Sequence, residues 1–116
     1  MVKNMLYLYQ VEKAYNLKQK DNIMIKTRNM TSRRGNEVAN QFIIRDTNKQ
    51  GGLKALYFQS YDTIIVKVTN KHTYLDSFYW DYSATTGKYR NDFLNEGIAD
   101  TRKKIKNGEY KLTNLN

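Results

Sequence analysis

The basic residues of this chain are those whose type and spacing best support a function, namely the binding of an acidic partner. Twenty Lys and Arg stand against eleven Asp and Glu, which gives a formal net charge of +9 in 116 residues. Such an excess attracts polyanions and acidic protein surfaces, and a basic patch is typical of nucleic-acid binding. The candidate binding residues form two clusters: Lys26, Arg28, Arg33 and Arg34 on a predicted strand and the loop after it, and Arg102, Lys103, Lys104 and Lys106 on the last predicted helix.

Both clusters also have a simpler interpretation as solvated surface. Lys and Arg on a helix face keep their charged ends in water whether or not a partner exists, and the segment 101–106 (TRKKIK) fits such a face. For most of the ten tyrosines we prefer a place in the core, because they fall on the apolar side of their elements. For Arg33 and Arg34, in a polar loop, binding and simple solvation both stay open.

Residue types that support catalysis or metal binding are scarce. A zinc site needs about four ligands from Cys, His, Asp and Glu, and this chain has one histidine and no cysteine. His72 and Asp76, four residues apart, are weak metal candidates, and a solvent-facing histidine in a polar turn is the preferred interpretation. No serine lies in a nucleophile-elbow motif, and neither GxxxxGK[ST] nor GxGxxG occurs. We expect a non-enzymatic protein without a cofactor.

Alternating apolar residues predict three strands in the first half of the chain. These strands cover residues 23–30, 38–45 and 56–59. Gly51 and Gly52 permit the turn before the third strand, and three strands joined by polar loops predict an antiparallel meander. Residues 1–20 fit a strand or a helix. We prefer the helix and treat 1–22 as an N-terminal extension.

Two signals conflict in residues 63–69. Their sequence, TIIVKVT, is mostly β-branched, which favours a fourth strand. Ser60 and Asp62, just before it, are residue types that cap helices. We predict a helix here and keep the strand as the alternative.

Capping residues predict two further helices in the last third of the chain. Asp81 and Ser83 are the candidate caps of a helix at about 84–95, and Gly97 is expected to end it in the left-handed conformation. The second helix covers about 98–106, and residues 109–115 form a closing strand or a frayed tail. The predicted fold is α+β: one domain over 1–116, with a small antiparallel sheet of three or four strands packed with two or three C-terminal helices.

Two segments of the sequence carry a resemblance. The first combines NQFII at 40–44 with YFQSYDTII at 57–65; the second combines WDYSATTGKYRNDFL at 80–94 with ADTRKKIKNGEY at 99–110. They resemble small proteins of uncharacterised function carried by bacteriophages and mobile elements of Gram-positive bacteria, over about residues 27–111. The resemblance brings no catalytic residues. It implies a phage-type accessory protein that acts by binding, and some proteins of this context are anti-CRISPR proteins.

Two hypotheses about function follow. The first is a protein-directed inhibitor of a bacterial nucleic-acid machine. Its partner would be a bacterial protein or ribonucleoprotein, with a guide-loaded Cas9-type effector as the leading example. Arg and Tyr side chains would anchor the inhibitor to this partner. The second is a basic accessory protein that binds DNA or RNA directly through the two clusters. The absence of cysteine, of a secretory h-region and of a run of about 18 apolar residues predicts a cytoplasmic protein of the bacterial host cell, without a membrane partner.

Replacement of Trp80 by Ala tests the predicted core. Residues 56–94 hold this single tryptophan, six of the ten tyrosines and three of the four phenylalanines. We expect W80A to lose roughly 3–5 kcal/mol of stability if the indole is buried, because its removal leaves a cavity. Thermal denaturation followed by circular dichroism would measure the loss. An unchanged melting temperature would make Trp80 a surface anchor instead.

Overall fold

The structure is a computed structural model that describes residues 8–10 and 25–116. Its main element is a six-stranded sheet in which strands adjacent in the chain are also adjacent in the sheet. The strands are β1 (Ile25–Thr31), β2 (Glu37–Thr47), β3 (Leu53–Ser60), β4 (Thr63–Val68), β5 (Thr73–Asp76) and β6 (Tyr110–Thr113). Helices α1 (Ala84–Leu94) and α2 (Ile98–Lys106) lie between β5 and β6, and residues 8–10 are also helical.

The connections explain the strand directions. Strands β1 to β5 pair antiparallel, each with the next, whereas β5 and β6 pair parallel. A parallel pair needs a long crossover, and the segment containing α1 and α2 supplies it. The α+β class and the two C-terminal helices are confirmed, but the predicted sheet of three or four strands was too small.

The helix predicted at residues 63–69 is wrong, because this segment forms β4. Its residues pair along β3, from Ser60 opposite Thr63 to Leu56 opposite Val68. Ser60 caps no helix: its buried hydroxyl lies 3.1 Å from the hydroxyl of Thr86 on α1. Tyr61 takes a φ of 56° in the turn between the two strands. The β-branched side chains and the ladder hydrogen bonds therefore outweigh the capping signal.

The ends of the C-terminal elements partly follow the predictions. Ser83 caps α1 as expected, since its side chain accepts a hydrogen bond from the Thr86 amide. The left-handed residue after α1 is Asn95, with φ of 55°, and not Gly97, which has φ of −90° and precedes α2. Asn is the residue after Gly that best tolerates this conformation. Residues 110–113 form β6, so the closing strand was the correct alternative for the tail.

One face of the sheet is buried under the helices. Phe58 of β3 stacks on Phe93 of α1 with ring centroids 5.7 Å apart. Leu8 and Tyr9 pack against this same core, and the Tyr9 hydroxyl donates to the Leu53 carbonyl. The rest of the predicted N-terminal helix lies outside the described residues. The buried residues of this core cluster are Met30, Leu56, Phe58, Ile65, Val66, Val68, Leu75, Phe93, Leu94 and Tyr110.

A buried arginine fixes the loop that leads into α1. Arg90 is 1% exposed, and its Nη1 donates to the Trp80 carbonyl at 2.7 Å and to the Asp81 carboxylate at 3.3 Å. Its guanidinium also lies over the Trp80 ring, 5.3 Å from the centroid. Trp80 itself is half-buried against the core, so the stability cost of W80A stays a prediction.

A second buried charge holds the C-terminus. The Asp76 carboxylate accepts hydrogen bonds from the backbone amides of Phe78, Tyr79 and Leu115 and from the Asn116 side chain. Burial alone would raise the pKa of Asp76, but these hydrogen bonds outweigh it and hold the pKa below its usual value. Within the described residues, no helix is long and apolar enough to cross a membrane.

Replacement of Asp76 by Asn tests this clamp. The amide group of Asn would place an N–H donor against the N–H groups that donate to Asp76. We therefore expect D76N to lose about 1.5–3 kcal/mol of stability at pH 7. The lowered pKa means that Asp76 stabilises the fold fully above its unfolded pKa of about 3.9 and loses this effect as pH falls through the folded pKa. Urea denaturation at several pH values should show the gap between wild type and D76N closing below about pH 4. The exposed Asp92, changed to Asn, is the control; a gap independent of pH would contradict the clamp.

Candidate nucleic-acid interface

The β1–β2 hairpin carries the first predicted basic cluster. Its turn is closed by hydrogen bonds from the Gly35 amide to the Ser32 carbonyl at 2.9 Å and from the Ser32 amide to the Asn36 carbonyl at 2.8 Å. Gly35 takes a φ of 85°, which side chains with a Cβ adopt rarely. This turn holds Arg33 and Arg34 at the tip of the hairpin, where both are exposed.

An open cleft of about 1630 Å³ separates this hairpin from α1. Arg28 lines it from within β1, and Arg33 and Arg34 line it from the turn. The structure therefore brings three of the four residues of the first cluster together. The charged lining residues are Arg28, Arg33 and Arg34 on the hairpin side and Asp81, Lys88, Arg90, Asp92 and Glu96 on the helical side.

Some charged side chains of this cleft already have partners within the chain, and others do not. Arg90 is committed to Trp80 and Asp81, as described above, and Lys88 lies over the Tyr89 ring at 5.3 Å. Arg28 is half-buried and has an interaction within the chain. Within the described part of the chain, Arg33 and Arg34 make no hydrogen bond or ion pair. Their forked guanidinium groups are free to bind an anion such as phosphate, with which they match two oxygens at once.

Lys26 lies on β1 outside the cleft. It is directly opposite Arg45 in the β1–β2 register, and both residues interact within the chain. Arg45 is 1% exposed. Lys26 therefore belongs to a packed, positively charged part of the sheet rather than to the hairpin tip.

The second predicted cluster divides between structural and exposed residues. Lys104 pairs with the buried carboxylate of Glu96 and lies over the Tyr110 ring at 5.4 Å. Burial, followed by the charge of Glu96, raises the pKa of Tyr110 well above its usual value. Arg102 reaches the Asp81 carboxylate at 3.5 Å. Lys104 thus stabilises the α2–β6 packing, and only Lys103 and Lys106 are exposed residues without such a contact in the described structure.

His72 and Asp76 are not brought together. They lie just before and at the end of β5, and four residues of extended chain span about 13 Å. The Asp76 oxygens already accept four hydrogen bonds, and His72 packs edge-on against Tyr74 with centroids 5.8 Å apart. Residues 8–10 and 25–116 contain no group of three or more His, Cys, Asp or Glu side chains that could hold a metal ion.

An exposed aromatic group escaped the sequence analysis. We call residues 77–83, between β5 and α1, the aromatic loop. Phe78 is 79% exposed and Tyr82 is 67% exposed, and Tyr79 contacts both rings, with centroids 4.9 and 5.4 Å away. The sequence favoured the core for most tyrosines; Tyr79 does pack against the core, whereas Tyr82 is exposed. The signal that could have found them is the loop SFYWDYS itself, since a short connection cannot turn so many rings inward.

The comparisons with known proteins identify a family whose function is unknown. A family model described as "Family of unknown function (DUF8033)" matches residues 25–111. The match begins with β1 and ends within β6, so it covers the hairpin, the sheet and both helices. No curated protein and no solved structure matches the chain.

Proposed function

We propose that this chain, which belongs to that family of unknown function, is a non-enzymatic nucleic-acid-binding protein of the bacterial host cytoplasm. The observation that carries the proposal is the pair of exposed arginines, Arg33 and Arg34, at the tip of the β1–β2 hairpin. Both guanidinium groups lie beside an open cleft and have no partner in the described structure. The proposal extends the second of the two sequence hypotheses.

The charge distribution supports this assignment. Residues 25–45 contain five basic residues (Lys26, Arg28, Arg33, Arg34 and Arg45) and one acidic residue, Glu37. Lys103 and Lys106 add exposed charge on α2. The net charge of +9 raises the local concentration of a polyanion, and the arginines at the hairpin tip then contact phosphates directly. Each phosphate neutralised releases counterions, so binding must weaken as salt rises.

The variant Arg33→Ala/Arg34→Ala tests the proposed contact. We expect it to bind labelled DNA or RNA more weakly and to lower the slope of log affinity against log salt by roughly 0.7–0.9 for each phosphate that the variant no longer neutralises. Fluorescence anisotropy between about 50 and 200 mM salt gives this slope.

The matched control is Lys103→Ala/Lys106→Ala, which removes the same charge from α2. Equal reductions in affinity for the two double variants would show that only the net charge matters, and the hairpin tip would then not be a site. Unchanged affinity and slope in Arg33→Ala/Arg34→Ala would also contradict the proposal.

The aromatic loop favours a second candidate function. Its exposed Phe78 and Tyr82 both contact the ring of the half-buried Tyr79, and Asp81 of the same loop pairs with Arg90. Aromatic residues with neighbouring Arg are typical of the few side chains that carry most of the energy of a protein interface. Together with the resemblance to phage-borne proteins, this supports an inhibitor of a bacterial nucleic-acid machine, with a Cas9-type effector as the leading partner.

Co-elution with guide-loaded effectors tests the second candidate. Phe78→Ser/Tyr82→Ser should abolish co-elution while leaving the melting temperature nearly unchanged, because both rings are exposed. Tyr61→Ser is the control, since Tyr61 is 56% exposed at a different turn. Failure of the wild-type protein to co-elute with several effector types would count against this function.

A further inference from the structure

The face of the sheet opposite the helices carries a row of side chains that spans all six strands. Paired residues in neighbouring strands point to the same face, and the registers connect one such row from β1 to β6. We call this row the open-face row; its members are Thr27, Ile44, Tyr57, Lys67, Tyr74 and Lys111.

This row belongs to the surface rather than to the core. Tyr57, Lys67 and Tyr74 are half-buried, and Lys111 is exposed. In the part of the chain that the structure describes, no residue of the row belongs to the core cluster or packs against it. Leu8 and Tyr9 pack against that core cluster.

The composition of the row is unusual for a solvated sheet face. Antiparallel sheets with one open face usually alternate apolar residues inward with polar residues outward. Here the outward positions of β2, β3 and β5 carry Ile44, Tyr57 and Tyr74 instead. An adjacent outward position on β2 is Phe42, which is also half-buried. Among the described residues, the rings of Phe42, Tyr57 and Tyr74 are not part of the core cluster, so we looked for a role outside the core.

A lysine lies between the two tyrosines of the row. The Lys67 ammonium is 5.8 Å from the centroid of the Tyr57 ring and 6.0 Å from that of the Tyr74 ring. Because neighbouring strands are about 4.8 Å apart, the two tyrosines lie roughly 10 Å from each other across the sheet. Lys111, one strand beyond Tyr74, adds a second exposed ammonium. Flat rings thus alternate with positive charges across the sheet.

We propose that the open-face row is a stacking platform that makes the protein selective for single-stranded nucleic acid. Unpaired bases stack on Tyr57 and Tyr74, and the phosphate between them meets the Lys67 ammonium. Every base has a face that can stack, so the platform tolerates different sequences. A duplex hides these faces within its own stack. The proposal deepens the nucleic-acid-binding function stated above and rests on it.

Binding to three matched probes tests the platform: a single-stranded DNA, its duplex, and an RNA of the same sequence. We expect the wild type to bind both single strands at least about 10-fold more tightly than the duplex. Tyr57→Leu/Tyr74→Leu removes the rings and keeps apolar side chains. It should lose about 10-fold or more in affinity for single strands and leave duplex affinity unchanged.

Three further variants and measurements separate stacking from a structural role. Tyr57→Phe/Tyr74→Phe keeps the rings and should retain single-strand affinity. Lys67→Gln keeps the size of the side chain and should lower the salt slope by about 0.7, as expected for one phosphate contact on a single strand. Ultraviolet crosslinking of the wild type to a single strand, followed by peptide mapping, should place the crosslink on Tyr57 or Tyr74. Melting temperatures identify any variant that fails to fold.

The outcomes separate this proposal from the one it rests on. If no probe binds at physiological salt, the nucleic-acid-binding function fails and the platform fails with it. If binding depends on Arg33 and Arg34 but does not distinguish strands, and the Leu variant is silent, the platform alone is overturned. If the Leu variant loses co-elution with a protein effector but keeps nucleic-acid binding, the open face serves a protein and the platform is again overturned.

Discussion

The packing of α1 and α2 against one face of the sheet is the interaction on which the rest of the structure depends. Two helices of 11 and 9 residues are long enough to cover one face of six short strands but not both. Phe93 and Leu94 of α1 enter the core with Phe58 and its neighbours. The burial of this face removes apolar surface from water, which stabilises the fold. On the opposite face, Ile44, Tyr57, Lys67 and Tyr74 are half-buried among the described residues.

Buried charges hold the connecting segments in place around that core. Arg90 fixes the end of the aromatic loop through Trp80 and Asp81, and Asp76 fixes the beginning of the same loop and the C-terminus. A buried charge is costly unless it is paired and hydrogen-bonded, and in each case several bonds meet this requirement. The aromatic loop is therefore anchored at both ends, which keeps Phe78 and Tyr82 exposed.

The same packing decides which basic residues pair within the fold and which stay exposed to solvent. Lys104 stands in the sequence beside Lys103 as an equivalent member of one basic run. In the fold, the turn of α2 directs Lys104 to the buried carboxylate of Glu96, while Lys103 stays in solvent. Arg33 and Arg34 differ from Lys104 because a tight turn leaves them exposed, without an ion pair among the described residues. Net charge alone could not separate these roles, because it counts residues without their partners.

Local sequence determined the α+β class, the first three strands, the cap at Ser83 and the helix that begins at Ala84. Alternation and capping act over a few neighbouring residues, so each signal can be read without the rest of the fold. Tertiary structure decided residues 63–69, because pairing with β3 completes their backbone hydrogen bonds whichever local signal is stronger. It also decided that Tyr57, Lys67 and Tyr74 share one row, since they are brought together only by the register of three strands. A strand's own sequence records which residues alternate, but not which neighbours they meet or which face the helices will cover.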